Sequence, residues 1–198
     1  LRILSLLLFG LVFSELEAQD WQLKKIADGI KVYTKPTENS NFSAFRAEME
    51  VAYSVEKIEY ILFHMDRYPN LFPDTKELTL VERTSDSSFV QYSITEVPWP
   101  MDDRDGYFQM NFLHKANGAL RIESFARPDF KPENEDMVRI PVSDSSWDII
   151  PQANGKTKVI YTVAAQPGGE LPAMFVNAAA IEIPHQTFVN LKDLLKTL

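Results

Sequence analysis

The hydrophobic period of this sequence changes once, near residue 171, and that change limits the folds that the chain can adopt. Between residues 77 and 165, apolar and polar side chains alternate in several runs, as in half-buried β-strands. From residue 171 to residue 198, apolar residues recur with the 3.6-residue period of an α-helix. Many strands followed by one long helix predict an α+β architecture in which a curved antiparallel sheet wraps the final helix.

Alternation and turn residues together place the strands. Two pairs, Asn117-Gly118 and Asn154-Gly155, stand between alternating runs and predict tight hairpins. Residues 21–27 are predicted as a short helical turn, which Asp28-Gly29 ends. The predicted strands are residues 29–33, 42–51, 77–83, 88–97, 104–115, 119–126, 137–150 and 156–165.

Two segments carry the signals of helices. Ser54 can cap a helix whose apolar face includes Val55 and Ile58. In the last segment, Pro172 suits the first helical turn. The first half of that helix is apolar nearly all round, so we expect it to be covered on most sides. Pro184 is expected to kink it.

Composition narrows both the class of protein and its chemistry. The 198 residues, 45% of them hydrophobic, suit one globular domain with a sizeable core. The absence of Cys excludes thiolate nucleophiles, Cys-ligated zinc and iron–sulfur centres. A formal charge of −8, without clustered Lys and Arg, argues against nucleic acid as a partner and against strong attraction to an anionic membrane.

The first residues differ in kind from the rest. An apolar run at residues 3–13 follows Arg2 and precedes the polar stretch 14–20, in which the small residue Ala18 marks an expected cleavage point. The run is short for a spanning helix, which needs about 20 apolar residues, and it has the pattern of a secretory signal peptide. We therefore expect residues 1–19 to be a signal peptide and residues 20–198 to form one exported domain, periplasmic or secreted. An uncleaved membrane anchor and an N-terminal core helix are the alternatives.

Four motifs, in order and at consistent spacing, resemble the START family, the steroidogenic acute regulatory protein-related lipid transfer domains. The motifs are HMDRYP at residues 64–69, VPWPMDDRD at 97–105, SWDIIP at 146–151 and GGELPAMFVN at 168–177. The resemblance covers the whole chain after the signal peptide. It implies the helix-grip fold (START/Bet v 1-like), with a cavity between the sheet and the C-terminal helix that holds a lipid or another hydrophobic small molecule.

The inward faces of the strands and of the final helix would line such a cavity. Periodicity puts Arg104 and Phe108 on one inward face, and we assign Tyr92, Ile94 and Glu96 to another. A mostly apolar lining with a few polar groups suits a small-molecule site, although the same side chains could instead fill a solid core. The predicted ligand-binding residues are Phe45, Met49, Tyr92, Ile94, Glu96, Arg104, Phe108, Met110, Phe112, Tyr161, Val163, Phe175, Val176, Ala179 and Ile183.

The expected function is binding, and by extension transfer, of a lipid or similar hydrophobic molecule by a protein that is not an enzyme. No catalytic residue, metal site or cofactor is predicted, because the three His are dispersed and no nucleophile elbow or phosphate loop occurs. One alternative is a polyketide cyclase or aromatase on the same fold, with acid–base chemistry at His114, Tyr92, Tyr161 or Glu96. The other is an interaction module whose cavity is filled by side chains.

Ligand exchange and assembly give further expectations. We expect a monomer that makes transient contact with a membrane and opens by movement of the final helix or of loops 98–103 and 166–170. Arg104 is expected to form an ion pair, with Glu96 as a partner, that ties loop 98–103 to the sheet. The alternative role for Arg104 is to meet a lipid headgroup. Ala179→Trp is expected to fill the cavity.

Overall fold

The computed structural model describes residues 21–38, 40–68 and 70–198, so the predicted signal peptide lies outside the described residues. Within them the chain forms ten strands, two α-helices and two 3-10 turns. The strands are β1 (Gln22–Ala27), β2 (Ile30–Pro36), β3 (Ser43–Val51), β4 (Thr75–Ser85), β5 (Ser88–Thr95), β6 (Arg104–His114), β7 (Leu120–Ala126), β8 (Val138–Arg139), β9 (Val142–Pro151) and β10 (Thr157–Gln166). The helices are α1 (Val55–Phe63) and α2 (Ala173–Leu195), and the 3-10 turns are Met65–Arg67 and Pro128–Phe130.

One curved sheet contains all of the described strands. Its order is β1-β2-β3-β10-β9-β7-β6-β5-β4, and neighbouring strands on this path are antiparallel. The short β8 pairs in parallel with the start of β6. Both predicted Asn-Gly hairpins are confirmed, with Gly118 and Gly155 at positive φ. The predicted α+β helix-grip architecture is therefore the observed one.

The two helices lie against the sheet at one end of its concave face. Ser54 caps α1 as predicted, accepting a hydrogen bond from the Lys57 amide. Helix α2 packs on β1, β2, β3 and α1, and its buried residues all come from Ala180 onward. Among the helices in the described residues, none is long and apolar enough to cross a membrane.

The main hydrophobic core lies between α1, the second half of α2 and the sheet. Phe188 is fully buried and stacks on Trp147 with ring centroids 5.7 Å apart. Ile58, Ile61 and Leu62 of α1 fill the same core. Because these apolar side chains all face one core, they recur at helical spacing, and the two helices could be predicted from the sequence.

Two expectations about secondary structure and one about burial are wrong. Residues 21–27 form strand β1 rather than a helical turn, because Asp28 and Gly29 both take positive φ and fold β1 back onto β2 as a hairpin. The predicted strand 137–150 divides into β8 and β9 around Pro141, which lacks an N–H for a strand ladder.

The third correction concerns the start of α2. Its first half was expected to be covered, yet Met174 and Phe175 are 73% and 58% exposed. The helix does run through Pro184 as a single element. The apolar first half of α2 thus leaves large side chains in solvent, which is uncommon unless the surface has a use.

Candidate functional site

A cavity of about 190 Å³ lies between the concave face of the sheet and α2. Strands β4, β5, β6, β7, β9 and β10 contribute to its wall, and Ile183 of α2 closes one side. The apolar part of the lining consists of Met65, Phe72, Leu78, Phe108, Met110, Trp147, Tyr161, Val163 and Ile183. Such a mixture of aromatic and aliphatic side chains is typical of small-molecule sites.

The rest of the lining is polar and comes mainly from the middle strands. We call Gln91, Ser93, Ser124 and Ser145 the polar wall, since all four line the cavity. Strand register explains their common direction: Gln91 lies opposite Phe108, and Ser124 lies opposite Ser145. Gln91 is 8% exposed, and its buried Oε1 accepts no hydrogen bond.

Two ionisable side chains line the cavity besides these neutral groups. Tyr161 lies flat on Trp147, with ring centroids 4.0 Å apart, and burial raises the pKa of its phenol. The phenol therefore stays protonated at neutral pH. Asp74 is more exposed; its pKa is raised by burial and by the nearby Glu96 carboxylate.

Arg104 joins two chain segments beside the cavity. Its guanidinium donates through Nη1 to the Asp102 carbonyl and through Nη2 to the Gly168 carbonyl, at 3.3 Å in the latter case. The side chain is buried, which lowers its pKa. Gly169 leaves the space it needs, since a Cβ there would lie 3.3 Å from Nη2. Arg104 thus holds loop 98–103 against the segment that leads into α2.

Lys76 provides a second tie to the same loop. Its Nζ lies 2.8 Å from Asp103 Oδ2 and 3.4 Å from Glu96 Oε1. The hydrogen bond from Lys76 lowers the pKa of Asp103. The expected Arg104–Glu96 ion pair is therefore not formed, because Glu96 pairs with Lys76 and Arg104 with backbone carbonyls.

The inward assignment of Tyr92, Ile94 and Glu96 is wrong. Because Gln91 pairs with Phe108, the alternate side chains of β5 point to the opposite face of the sheet. There, Tyr92 donates to Asp105 at 3.3 Å, and burial together with that carboxylate raises the pKa of Tyr92 to about 12. Glu96 follows the end of β5 and is exposed.

On the convex face of the sheet, Arg139 and Asp105 form a buried ion pair. Arg139 donates to both carboxylate oxygens of Asp105, at 2.8 and 2.9 Å, and also to the carbonyls of Pro128, Lys131 and Pro132. With the rings of Tyr92 and Tyr107, which contact each other at an interplanar angle of 40°, this cluster covers the outer side of β5 and β6. Its groups are satisfied by one another rather than directed at a cavity.

The other predicted site residues divide between the cavity and the core. Phe108, Met110, Tyr161, Val163 and Ile183 line the cavity. Phe45 packs edge-on against Tyr161, and Met49 and Phe112 belong to the hydrophobic core. Val176 and Ala179 are partly buried on α2 outside the lining, and Phe175 is exposed. Whether any of these residues binds a ligand stays a prediction.

The polar wall and Trp147 were missed by reading the sequence. On β5, the polar alternation of Gln91, Ser93 and Thr95 is that of a solvent-facing side, so the apolar residues between them were assigned inward. Strand pairing could have corrected this assignment. In a β5–β6 hairpin, Gln91 lies beside the inward Phe108, and this pairing determines which face of β5 points inward.

The side chains considered for enzyme chemistry are not gathered in the cavity. His114 is 61% exposed and lies 2.9 Å from Glu59. Of His114, Tyr92, Tyr161 and Glu96, the cavity lining includes Tyr161. In the described part of the chain, no group of three or more His, Asp or Glu could hold a metal ion.

Comparison with known proteins gives a consistent set of relatives. A family model for the START domain matches residues 14–183. An uncharacterised protein of Pseudomonas aeruginosa is 27% identical over 193 residues, 98% of this chain and 95% of the relative. The mouse phosphatidylcholine transfer protein is 24% identical over 171 residues, 83% of this chain and 78% of the relative.

A solved structure agrees with the same grouping. The STAR-related lipid transfer protein of Xanthomonas axonopodis, solved as fragment 25–204, is 30% identical and superposes with a TM-score of 0.82. The match covers 89% of this chain and 98% of that fragment. Sequence and fold thus point to one family.

Proposed function

We propose, on the premise that the chain belongs to the START domain family, that it binds a lipid or another hydrophobic small molecule beneath α2. The observation that carries this proposal is the cavity of about 190 Å³ between sheet and helix, with its largely apolar lining. A domain built only for stability would fill this space, because interiors are close-packed and voids cost stability.

The size of the cavity bears on how a ligand enters. A volume of about 190 Å³ exceeds the ~150 Å³ cavity that holds benzene, but it is below the ~300–1,000 Å³ of ordinary ligand pockets. A lipid therefore requires the cavity to enlarge. The first half of α2 is suited to this movement, since the buried residues of the helix begin at Ala180. Loops 98–103 and 166–170 would move with it.

The proposal includes transient membrane contact and transfer, which side chains in the same region support. Trp99 is 92% exposed, and Met174 and Phe175 are exposed near the start of α2. Arg104 ties the loop of Trp99 to the segment before α2, so the two exposed groups lie on chain segments that are held together. Exposed aromatic and aliphatic side chains can enter a lipid interface, and with a net charge of −8 this contact would depend on apolar surface. The signal pattern of residues 1–19 supports export.

A binding role is proposed in preference to an enzymatic one. Acid–base catalysis needs a titratable group with a pKa near the working pH beside the substrate. In the described cavity lining, the ionisable groups are Tyr161, whose pKa is raised from an already high value, and Asp74 at a more exposed position. Neither has a paired base or nucleophile among the cavity residues.

Native mass spectrometry of the protein, purified without detergent from a lipid-containing source, tests the proposal. We expect a bound mass that is released on denaturation. Ile183→Trp should fill the cavity and abolish uptake. Ala179→Trp, which the sequence analysis expected to fill the cavity, lies on the same helix but outside the lining and should retain uptake. Thermal melting establishes that both variants fold. An apo mass with no uptake from a mixed lipid panel would overturn the proposal in favour of an interaction module.

A further inference from the structure

One buried polar group in the cavity wall has no partner within the described structure. The Oε1 atom of Gln91 is buried and accepts no hydrogen bond, although the residue is 8% exposed and lines the cavity. Buried polar groups nearly always find a partner, so an unpaired amide oxygen on a side chain that lines a cavity calls for an explanation. A ligand that brings a hydrogen-bond donor supplies that partner.

The groups around Gln91 are neutral and can both donate and accept. Ser93 is two residues further along β5, and the hydroxyls of Ser124 and Ser145 complete the polar wall. A carboxamide carries an acceptor and two donors, and a hydroxyl carries one donor and two lone pairs. This set matches the polar end of an uncharged alcohol or amide.

Charge in the lining points the same way. Among the described residues that line the cavity there is no Lys, Arg or His, and the charged side chain is the carboxylate Asp74. An anionic headgroup would lose its hydration without gaining a cation, and Asp74 would repel it. A neutral ligand avoids both costs.

Arg104 is the cation closest to this region on the inward face of β6. Its Nη atoms are occupied by the carbonyls of Asp102 and Gly168, although its buried Nε has no partner. The ring of Phe108 covers Gly106, the position between Arg104 and Phe108 on this face; a Cβ on Gly106 would lie 2.5 Å from the ring. The ring therefore lies over the β6 position between Arg104 and Phe108, the residue that pairs with Gln91.

We propose that the cavity selects an uncharged lipid, or a similar apolar molecule, whose hydroxyl or amide N–H donates a hydrogen bond to Gln91 Oε1. This inference rests on the proposed function and adds the chemical class of ligand to it. The serine hydroxyls of the polar wall bind the remaining polar atoms of the same headgroup, and the apolar lining surrounds the hydrocarbon part.

Three probes with the same acyl chain test the selection: 1-oleoylglycerol, oleate and 1-oleoyl-lysophosphatidylcholine, which are neutral, anionic and zwitterionic. Binding is followed by native mass spectrometry in competition and by intrinsic tryptophan fluorescence, to which Trp147 in the cavity lining contributes. We expect the neutral probe to bind about tenfold or more tightly than the other two. Gln91→Leu should weaken 1-oleoylglycerol about five- to tenfold, as for the loss of one hydrogen bond, and leave oleate unchanged.

A second buried glutamine serves as the matched control. Gln109 is as buried as Gln91, but its Nε2 donates to Ser88 Oγ at 2.7 Å and it does not line the cavity. Gln109→Leu should lower the melting temperature and leave the preference for 1-oleoylglycerol intact. Gln91→Leu should not lower the melting temperature, because it removes an unpaired group.

The outcomes separate this inference from the proposed function. Preferential binding of oleate, abolished by Arg104→Met, would overturn the inference and assign the headgroup to Arg104 while leaving ligand binding in place. Unchanged affinity of Gln91→Leu for 1-oleoylglycerol would also overturn it. If none of the probes binds and no ligand mass is carried from the source, the proposed function itself fails.

Discussion

The concave face of the sheet has two ends that differ in chemistry, although the same strands supply both. Along β5, buried Phe89 is followed on the same face by Gln91 of the polar wall. Along β9, Ser145 of that wall is followed by the buried residues Trp147 and Ile149. We call the side that contains Phe89 and Ile149 the packed end, and the side that contains the polar wall the cavity end.

Helix α2 follows the same division. Its second half is buried among α1 and the sheet, whereas Met174 and Phe175 in its first half lie largely in solvent. Both halves contain large apolar side chains, so hydrophobicity alone does not decide which half is covered. The packed end supplies the free energy of folding, and the cavity end keeps space and unpaired polar groups that reduce it. Such local violations of good packing are typical of functional sites.

The largest test of this comparison is a pair of Phe truncations on α2. Phe188→Ala removes a fully buried ring that stacks on Trp147, and we expect the free energy of unfolding to fall by about 3–5 kcal/mol. Phe175→Ala removes an exposed ring near the cavity end and should change stability by about 0.5 kcal/mol or less. Denaturant unfolding measures both. Equal losses would mean that the two halves of α2 are held alike.

A second test asks whether the cavity end is loosely held throughout. Gly168 lies in the segment before α2 at φ +74, and a Cβ there would lie 2.9 Å from the Arg139 carbonyl oxygen. Gly168→Ala should therefore lower the free energy of unfolding by about 1 kcal/mol because of the left-handed backbone, and by a further ~1–3 kcal/mol because of overpacking. Gly155→Ala has the same φ range and open space, so it should show the first cost alone. Equal melting temperatures for the two variants would show that the segment before α2 moves to accommodate the added methyl group without loss of stability.

Most of the fold was predictable from the sequence, and the exception at β1 has a physical reason. Strands such as β3 and β6 alternate cleanly, because one face packs on the core. Strand β1 is an edge strand with an irregular register between Leu23 and Lys25, and its side chains Leu23 and Ile26 are exposed. An irregularity shifts the alternation by one residue, so the period-two signal is lost over so short a strand.

The family resemblance predicted where the cavity lies, but periodicity predicted only part of its lining. Periodicity found the inward faces of β6 and β10, where Phe108, Met110 and Tyr161 line the cavity. It failed on β5, because a polar wall inside the protein has the same pattern as a surface exposed to water. The apolar face of β5 is covered by the Asp105–Arg139 cluster, which depends on contacts between residues far apart in the sequence. Pairing of strands, rather than hydrophobicity, carries that information.

The smallest expected effect is a difference in pH dependence between two aspartates at the cavity end. The hydrogen bond from Lys76 lowers the pKa of Asp103 below its ordinary 3.8, so its contribution to stability is complete above that value and is lost as the pH falls through the folded pKa. Burial and Glu96 raise the pKa of Asp74 above 3.8. Asp74 therefore destabilises the fold as the pH rises through the interval between 3.8 and its folded value.

Asp103→Asn should accordingly lose less stability than the parent protein on acidification below pH 4. Asp74→Asn should be more stable than the parent protein above that pH. Denaturant midpoints between pH 3 and pH 7 measure both differences, and added salt should reduce the first because the Lys76–Asp103 pair is exposed. Shifts of the same sign in the two variants would contradict the assignment. Opposite signs of the two pH-dependent changes in stability would show that Asp103 stabilises the loop at the cavity end, whereas Asp74 destabilises the fold. A destabilising residue beside a cavity is expected of a region kept for binding.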